Sequence, residues 1–341
     1  MPMGLKVGIY GGSGYGGMEL IRLLSTHPEL GSLAVASRGN AGHSISGVFP
    51  QLSAVGDFVA PDEVDAGSLD VAFVAYSHGE SAETVARVLD AGARVVIDLS
   101  ADFRLPGALY ERWYGEHPEP DLIQQAHYGL PELFGMPDGV RLIANPGCYP
   151  TAATLALSPV VKRLGEKARS VTVNALSGVS GAGARPSGKT HFVSANENVS
   201  PYGFPHHRHA PEIQNVLDRV GVAPRVTFVP HLLPISRGIL ETITLETEDP
   251  GDLPSAQEAL DWYAEDYAGW AFVEAREEYP QIAHVSNTNR VRLSAAVDEA
   301  AGKLILFSAE DNLLKGASGA AVQNMNLALG YPEDLGLEHL K

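Results

Sequence analysis

Cysteine is almost missing from this chain. Cys148 is the only one in 341 residues, which excludes an internal disulfide and a thiolate metal cluster. Positive charge is scarce as well, with 24 Lys and Arg against 41 Asp and Glu and a formal net charge of −17. Such a surface repels the phosphates of nucleic acid and anionic lipid alike, so no nucleic-acid partner is expected. Long apolar runs are absent too. "MPMGLKVGIYGG" leads straight into a strand pattern without a stretch of signal or membrane-span length, which predicts a cytoplasmic protein with no membrane partner. There is no internal repeat and no low-complexity tract.

What is present reads as an ordinary globular composition, 45% hydrophobic and 19% charged. The length exceeds what one core usually organises, so two domains of roughly 150 to 200 residues are expected. In the first half, short apolar runs ("KVGIYG", "LAVAS", "DVAFVAYS", "RVVIDLS", "RLIANPG") alternate with amphipathic stretches ("GGMELIRLLSTH", "SAETVARVLDAG"). That alternation is the pattern of βαβ units around a parallel sheet covered on both faces. From about residue 170 the rhythm changes to longer alternating strands, "VTVNALSG", "RVTFVPHLL", "GILETITLETE", "RVRLSAAVD" and "KLILFSAED". The fold class is therefore an α/β Rossmann-type nucleotide-binding domain over 1–147, followed by an α+β domain over 148–311 with a mixed, largely antiparallel sheet. The closing segment 312–341 reads as a helix capped near Asp311 or Asn312 and stopped by Gly330 and Pro332, packing back on the first domain. Residues 180–211, rich in Gly, Pro, Ser, Asn and His, form the longest loop candidate.

After the first strand, "GGSGYGG" carries Gly11, Gly12, Ser13, Gly14, Tyr15 and Gly17, where Gly12, Gly14 and Gly17 satisfy G-x-G-x-x-G and Gly11, Gly14 and Gly17 satisfy G-x-x-G-x-x-G. Glycines there permit a tight turn and close backbone approach, and a helix opening near Tyr15 aims its first amides at a pyrophosphate. Where an NAD protein usually places an acid for the ribose 2′-hydroxyl, this chain has Ser37 and Arg38. A hydroxyl and a guanidinium suit a 2′-phosphate, so NADP is the expected cofactor.

Cys148 follows a strand and opens "CYPTAATLALSPVV", an apolar helical pattern with Pro150 in its first turn. A thiol at a helix N-terminus feels the positive end of the dipole and gains thiolate character. A thiolate beside a nicotinamide implies acyl chemistry, because a thioester formed on sulfur accepts hydride. The loop "PHHRHAPEI" offers His206, His207 and His209 for proton transfer, with Glu212 three residues past the last. An Arg lies among these histidines and no second convergent cluster is evident, so no metal is expected. Arg104 in "DLSADFRL" and Arg237 in "PISRGIL" have the bidentate fork that suits a carboxylate or phosphate, or a structural ion pair. A serine-hydrolase elbow is missing, since "SGVSGAG" lacks the final glycine of G-x-S-x-G.

The ordered set "GGSGYGG", "DLSADFRL", "YGLPEL", "NPGCYPT", "SGVSGAG", "HRHAPEI", "PISRGIL" and "DNLLKGASGAAVQNMNLALG" resembles the N-acetyl-gamma-glutamyl-phosphate reductases, within the aspartate-semialdehyde-dehydrogenase-like superfamily. The resemblance implies NADPH-dependent reduction of an acyl phosphate to a semialdehyde in arginine biosynthesis, with Cys148 carrying the thioacyl group. It implies that His207 or His209 is the acid/base, oriented by Glu212. It further implies that Ser177, Ser180, Gly181 and Gly183 line the nicotinamide and substrate, that Asn312 binds the carboxamide end of the cofactor, and that Asn145 belongs with the substrate set. A homodimer or homotetramer is the implied assembly. Arg185 stands one residue later than in the family's "SGAGR", and neither Lys189 nor His191 is assigned. Relatives of the family reduce a carrier-protein-linked aminoadipyl phosphate, and the charge of −17 disfavours docking an acidic carrier. A NADP-binding sensor with an inert thiol is the alternative of a different class.

Overall fold

The computed structural model describes residues 4–52, 56–221 and 224–341. The chain divides into two compact units. The first comprises residues 1–147 and 317–339, the second 148–316 and 340–341. The closing segment enters the first unit at Ala317 rather than at 312. Residues 311 and 312 are retained by the second, where the Asp311 carboxylate accepts from the amides of Leu313 and Leu314 and Asn312 Oδ1 accepts from Gly238 N.

Six strands build the first unit: β1 (Leu5–Tyr10), β2 (Leu30–Ala36), β3 (Val71–Val74), β4 (Val95–Asp98), β5 (Ala126–Tyr128) and β6 (Leu142–Ala144). All pair in parallel, in the order β2-β1-β3-β4-β6-β5. β3, β4 and β6 are buried at every position, as a sheet covered on both faces demands. The helix Ala82–Asp90 shows why the covering works. Its apolar residues recur at Ala82, Val85, Val88 and Leu89, one stripe of a 3.6-residue period, and all four are buried in the core with Val74, Val96 and Leu142. In the register of β4 with β6, Asp98 lies beside Ala144. The segments "LSADFRL" and "NPGC" therefore leave the sheet side by side from its carboxyl end, where ligands of open α/β sheets bind.

The second unit holds β7 (Ala168–Gly178), β8 (Ser200–Pro201), β9 (Val226–Leu233), β10 (Ile239–Thr247), β11 (Val273–Ala275), β12 (Val291–Asp298) and β13 (Lys303–Glu310). Their order is β11-β12-β13-β10-β7-β9-β8, with four antiparallel and two parallel pairings. The expected mixed, largely antiparallel sheet is what forms. Its helical cover includes Cys148–Leu164, buried along most of its length despite Pro159 inside it. Proline has no N–H, so the carbonyl of Leu155 four residues earlier loses its helical partner. Tyr267 from the helix Ala256–Asp266 and its C-cap supplies one, donating to Leu155 O at 2.6 Å, while Tyr263 donates to Ala156 O at 2.8 Å.

One position in this sheet breaks the apolar pattern. β10 buries alternate residues, and between Ile239 and Ile243 that face carries Glu241, fully buried and paired in register with Ser308 and Ala175. Among the described residues neither carboxyl oxygen has a hydrogen-bond partner, and burial drives its pKa well above the ordinary carboxylate value. The folded chain thus holds Glu241 protonated where the unfolded chain ionises it. The stability contributed by that proton is complete below about pH 4.5 and is lost as pH rises toward the folded pKa, at a slope of about 1.4 kcal/mol per pH unit. Glu241→Gln is expected to raise Tm, with an advantage over the wild type that grows between pH 5 and pH 8. Thermal melts across that range check it, and a constant difference would show that Glu241 carries no linked proton.

Candidate active site

The glycine loop closes the gap between β1 and the helix Tyr15–Leu24. Gly11 has φ +85°, a conformation costly for any other residue, and a Cβ there would stand 2.7 Å from Ala75 O. A Cβ at Gly17 would stand 2.5 Å from Gly12 O, so helix and loop touch backbone to backbone. Gly14 is the N-cap and offers no side chain to the first-turn amides, while a Cβ placed on it would meet only Gly11 O, at 3.8 Å. Bare helix amides facing open space form an anion cradle, and the loop fits a dinucleotide pyrophosphate.

Ser37 and Arg38 part company in the structure. Ser37 is buried, its Oγ donating to Ser13 Oγ at 3.0 Å and accepting from Asn40 N at 3.2 Å, so it ties the end of β2 to the glycine loop. Arg38 lies outside it with its guanidinium 4.2 Å from the centre of the Tyr76 ring and 3.1 Å from Glu80.

At the carboxyl end of β4 a polar network takes over. Asp98 is fully buried and accepts from the hydroxyls of Ser81 and Ser100 and from Ser100 N, yet burial dominates and pushes its carboxyl up to about 6. Asp102 accepts from Gly79 N and Ala82 N, which pins the loop after β3. Arg104 donates to Asn145 O at 2.7 Å and to Leu99 O at 2.8 Å. Asn145 is fully buried, its Nδ2 donating to Ala317 O and its Oδ1 accepting from Asn324. Both residues therefore bond to the protein's own groups here.

Cys148 is the first residue of its helix, as the Pro-Gly turn before it implies. The next residue, Tyr149, gathers the surrounding groups. Its ring lies 5.8 Å from that of His207, 5.6 Å from His209 and 5.2 Å from Phe228, and its hydroxyl is 3.0 Å from that of Tyr202. Burial drives both tyrosine pKa values up, so the pair stays protonated. His207 is enclosed by Tyr149, Tyr202 and Phe228, and that burial, helped by the charge of Arg208, lowers its pKa to about 4. Its Nδ1 accepts from the His209 amide at 3.2 Å. His209 opens the helix His209–Val220, and buried Glu212 stands three residues on, on the same face. His206 is exposed.

A second cluster in the same unit unites Ser177, Ser180, Gly181 and Asn312. Asn312 Nδ2 donates to Ser180 Oγ at 2.9 Å, and a Cβ at Gly181 would lie 3.3 Å from Ser177 Oγ and 3.8 Å from Asn312 Nδ2. Gly183 is exposed at the turn that follows, as is Arg185 beyond it. Arg237 donates to Asn287 Oδ1 at 2.6 Å and sits 3.3 Å from the buried Asp311 carboxylate. Sequence reasoning missed Tyr149, Tyr202, Asp311, Tyr76 and Glu80. The first follows the lone Cys directly, which was a usable signal; the others act across long sequence separations and leave none.

Two family models match the chain: "Semialdehyde dehydrogenase, NAD binding domain" over residues 6–137 and "Semialdehyde dehydrogenase, dimerisation domain" over 148–312. Among solved structures, aspartate semialdehyde dehydrogenase II from Vibrio cholerae has a TM-score of 0.72 at 20% identity, covering 96% of this chain and 99% of that one. Aspartate semialdehyde dehydrogenase with NADP from Candida albicans has a TM-score of 0.66 at 18% identity, covering 96% and 98%. The chain belongs to the semialdehyde dehydrogenase family and is an oxidoreductase of that type. Its full-length relatives within the family are N-acetyl-gamma-glutamyl-phosphate reductases. The one from Rubrobacter xylanophilus is 70% identical, covering 99% of this chain and 100% of that protein. One from Dehalococcoides mccartyi and one from Thermus thermophilus are 45% and 44% identical, covering 98% and 97% of this chain and 97% and 98% of theirs. Among the described residues no helix is long and apolar enough to cross a membrane.

The contact at Gly17 yields a test. Gly17→Ala forces loop and helix apart, at a cost of about 1 to 3 kcal/mol. It is expected to lower Tm and to weaken binding of a reduced dinucleotide by tenfold or more in a fluorescence titration, whereas Gly14→Ala, with space around it, leaves Tm unchanged.

Proposed function

We propose that the chain reduces N-acetyl-gamma-glutamyl phosphate to the corresponding semialdehyde with release of phosphate, using NADPH and a thioacyl intermediate on Cys148, as a step of arginine biosynthesis in the cytoplasm. The observation that carries this reading is the placement of Cys148 at a helix start beside a ring that gathers His207 and His209, in a chain 70% identical over its length to a reductase of that name. Arg38 supports NADPH over NADH, because an outward guanidinium beside the glycine loop suits a 2′-phosphate and no acid occupies the position after β2. The match to a dimerisation domain over 148–312 supports a homodimer or homotetramer.

In this mechanism the first-turn amides of the helix stabilise the Cys148 thiolate. Sγ attacks the acyl carbon, the bond from that carbon to the phosphate oxygen breaks, and phosphate departs with the electron pair. His209 takes the thiol proton and returns it to the departing group, and Glu212, on the same helix face, holds its ring. His207 is the wrong choice for that task. It is neutral down to about pH 4, and its Nδ1 is already an acceptor for the His209 amide, so it positions His209 instead. Ser180, Gly181 and Asn312 would hold a reduced nicotinamide, which when bound would supply a hydride to the thioester carbon. The carbon–sulfur bond then breaks, the aldehyde forms and the pair returns to Sγ. Arg237, aimed by Asp311 and Asn287, receives the substrate carboxylate. Arg104 and Asn145 serve as positioning residues that fix the end of β6. Asn312 acts on the nicotinamide pocket through Ser180 and Gly181.

NADPH oxidation with N-acetyl-gamma-glutamyl phosphate is expected for the wild type and lost in Cys148→Ala. His209→Asn is expected to lower kcat by about 10² to 10⁴. His207→Asn should retain the shape of the wild-type pH profile near neutrality, because its own titration lies far below. Turnover surviving in Cys148→Ala would sink the thioacyl route.

A further inference from the structure

Arg38 does not face solvent alone. Its Nη1 is 3.1 Å from Glu80 Oε2, and its guanidinium stacks on Tyr76, which in turn abuts the glycine loop, since a Cβ at Gly11 would stand 3.1 Å from Tyr76 Cδ1. Glu80 is held in that place by the backbone on either side. Gly79 N donates to Asp102 Oδ1 at 2.8 Å, Ala82 N donates to Asp102 Oδ2 at 3.0 Å, and Glu80 N itself donates to Ser77 O at 3.1 Å. Asp102 is fully buried, so the turn that presents Glu80 is anchored to the core while its carboxylate stays at the surface. The side chains of Arg38 and Glu80 are 56% and 42% exposed.

We propose that Glu80 is a resident stand-in for the cofactor's 2′-phosphate: its carboxylate occupies Arg38 until that phosphate displaces it, and it thereby sets the preference between NADPH and NADH. The proposal rests on the reading that Arg38 receives the 2′-phosphate.

Exposed ion pairs are weak enough to exchange readily. Glu80 contacts Arg38 through one oxygen, whereas a phosphate of charge about −1.5 to −2 presents three oxygens to the guanidinium fork and wins the exchange. The exchange still has a cost, because NADPH must break an existing pair and bring its phosphate close to a displaced carboxylate. NADH incurs neither cost. Its 2′-hydroxyl can donate to the Glu80 carboxylate, the task an acid performs in NAD-specific nucleotide domains. Stacking on Tyr76 keeps Arg38 beside the loop during the exchange, so the guanidinium is in place before and after it. Glu80 thus narrows a preference that Arg38 alone would make steeper.

Fluorescence titration of the full chain with NADPH and with NADH, for wild type, Glu80→Gln, Glu80→Ala and Arg38→Ala, tests this. Both Glu80 variants are expected to bind NADPH about threefold to fivefold more tightly, the range an exposed ion pair supports, with NADH unchanged or weaker. If both Glu80 variants leave the ratio of the two Kd values at its wild-type level while Arg38→Ala weakens NADPH, the stand-in role is overturned and the Arg38 reading stands. If the Glu80 variants weaken NADPH, Glu80 organises Arg38 rather than competing for it, and the proposal is equally overturned. If Arg38→Ala binds NADPH as the wild type does, the phosphate reading at Arg38 fails and the proposal with it.

Discussion

Asn145 engages all four of its polar groups inside the first unit. Its amide donates to Asp98 O, its carbonyl accepts from Arg104, its Nδ2 donates to Ala317 O and its Oδ1 accepts from Asn324. A buried polar side chain with a partner at every atom resists displacement, because leaving any one partner unmade costs about 1 to 3 kcal/mol. The chain passes from this residue through Pro146 and Gly147 and becomes a helix at Cys148. Cys148, the proposed nucleophile, thus stands three residues after Asn145 in the chain. Asp98 belongs to the same device, since the strand that carries its carboxyl also supplies the carbonyl that holds Asn145.

Next to Cys148 in the chain, aromatic packing gives two chemically identical imidazoles different surroundings. His207 is walled by Tyr149, Tyr202 and Phe228, which strips its water and keeps it uncharged. His209, two residues on, has moved to the first turn of the next helix with a carboxylate three positions ahead. Tyr149, the residue that follows Cys148, lies against both rings.

The architecture and the chemical types were legible in the sequence, while the partners were not. Parallel strands buried on both faces produce unbroken apolar runs, and the second sheet's alternation produces period-2 runs; both patterns are local and legible in the chain. The lone Cys and the His-x-His spacing are local as well. Ser37 was expected beside Arg38 as a ligand, but its hydroxyl turns inward to Ser13, because adjacent residues leaving a strand point to opposite sides. Glu80 and Asp311 lie 42 and 74 residues from the arginines they meet, and Tyr202 lies 53 from Tyr149. Such distances are set by strand order, which propensity and periodicity do not reveal. Glu241 is the opposite case. Its position on the buried face follows from alternation alone, and yet nothing local announces that a carboxyl belongs there.

The excess of negative charge sets a problem for a protein whose proposed substrate and cofactor are both anions. The two arginines proposed to receive them, Arg38 and Arg237, are each accompanied by a carboxylate, and the burial of that carboxylate decides what the arginine can do. Asp311 is buried and fixed by the amides of Asn287, Leu313 and Leu314, so it stays on Arg237 whatever arrives. Arg237 is therefore aimed and charge-compensated, and in the proposed reaction it meets an anion by the geometry of its guanidinium more than by net charge. Glu80 is exposed and holds Arg38 through one contact, so it can be exchanged for an incoming phosphate. A buried partner makes a rigid receptor, whereas an exposed one makes a displaceable competitor. On the proposed reading, that single difference in burial separates positioning of a substrate from discrimination between cofactors.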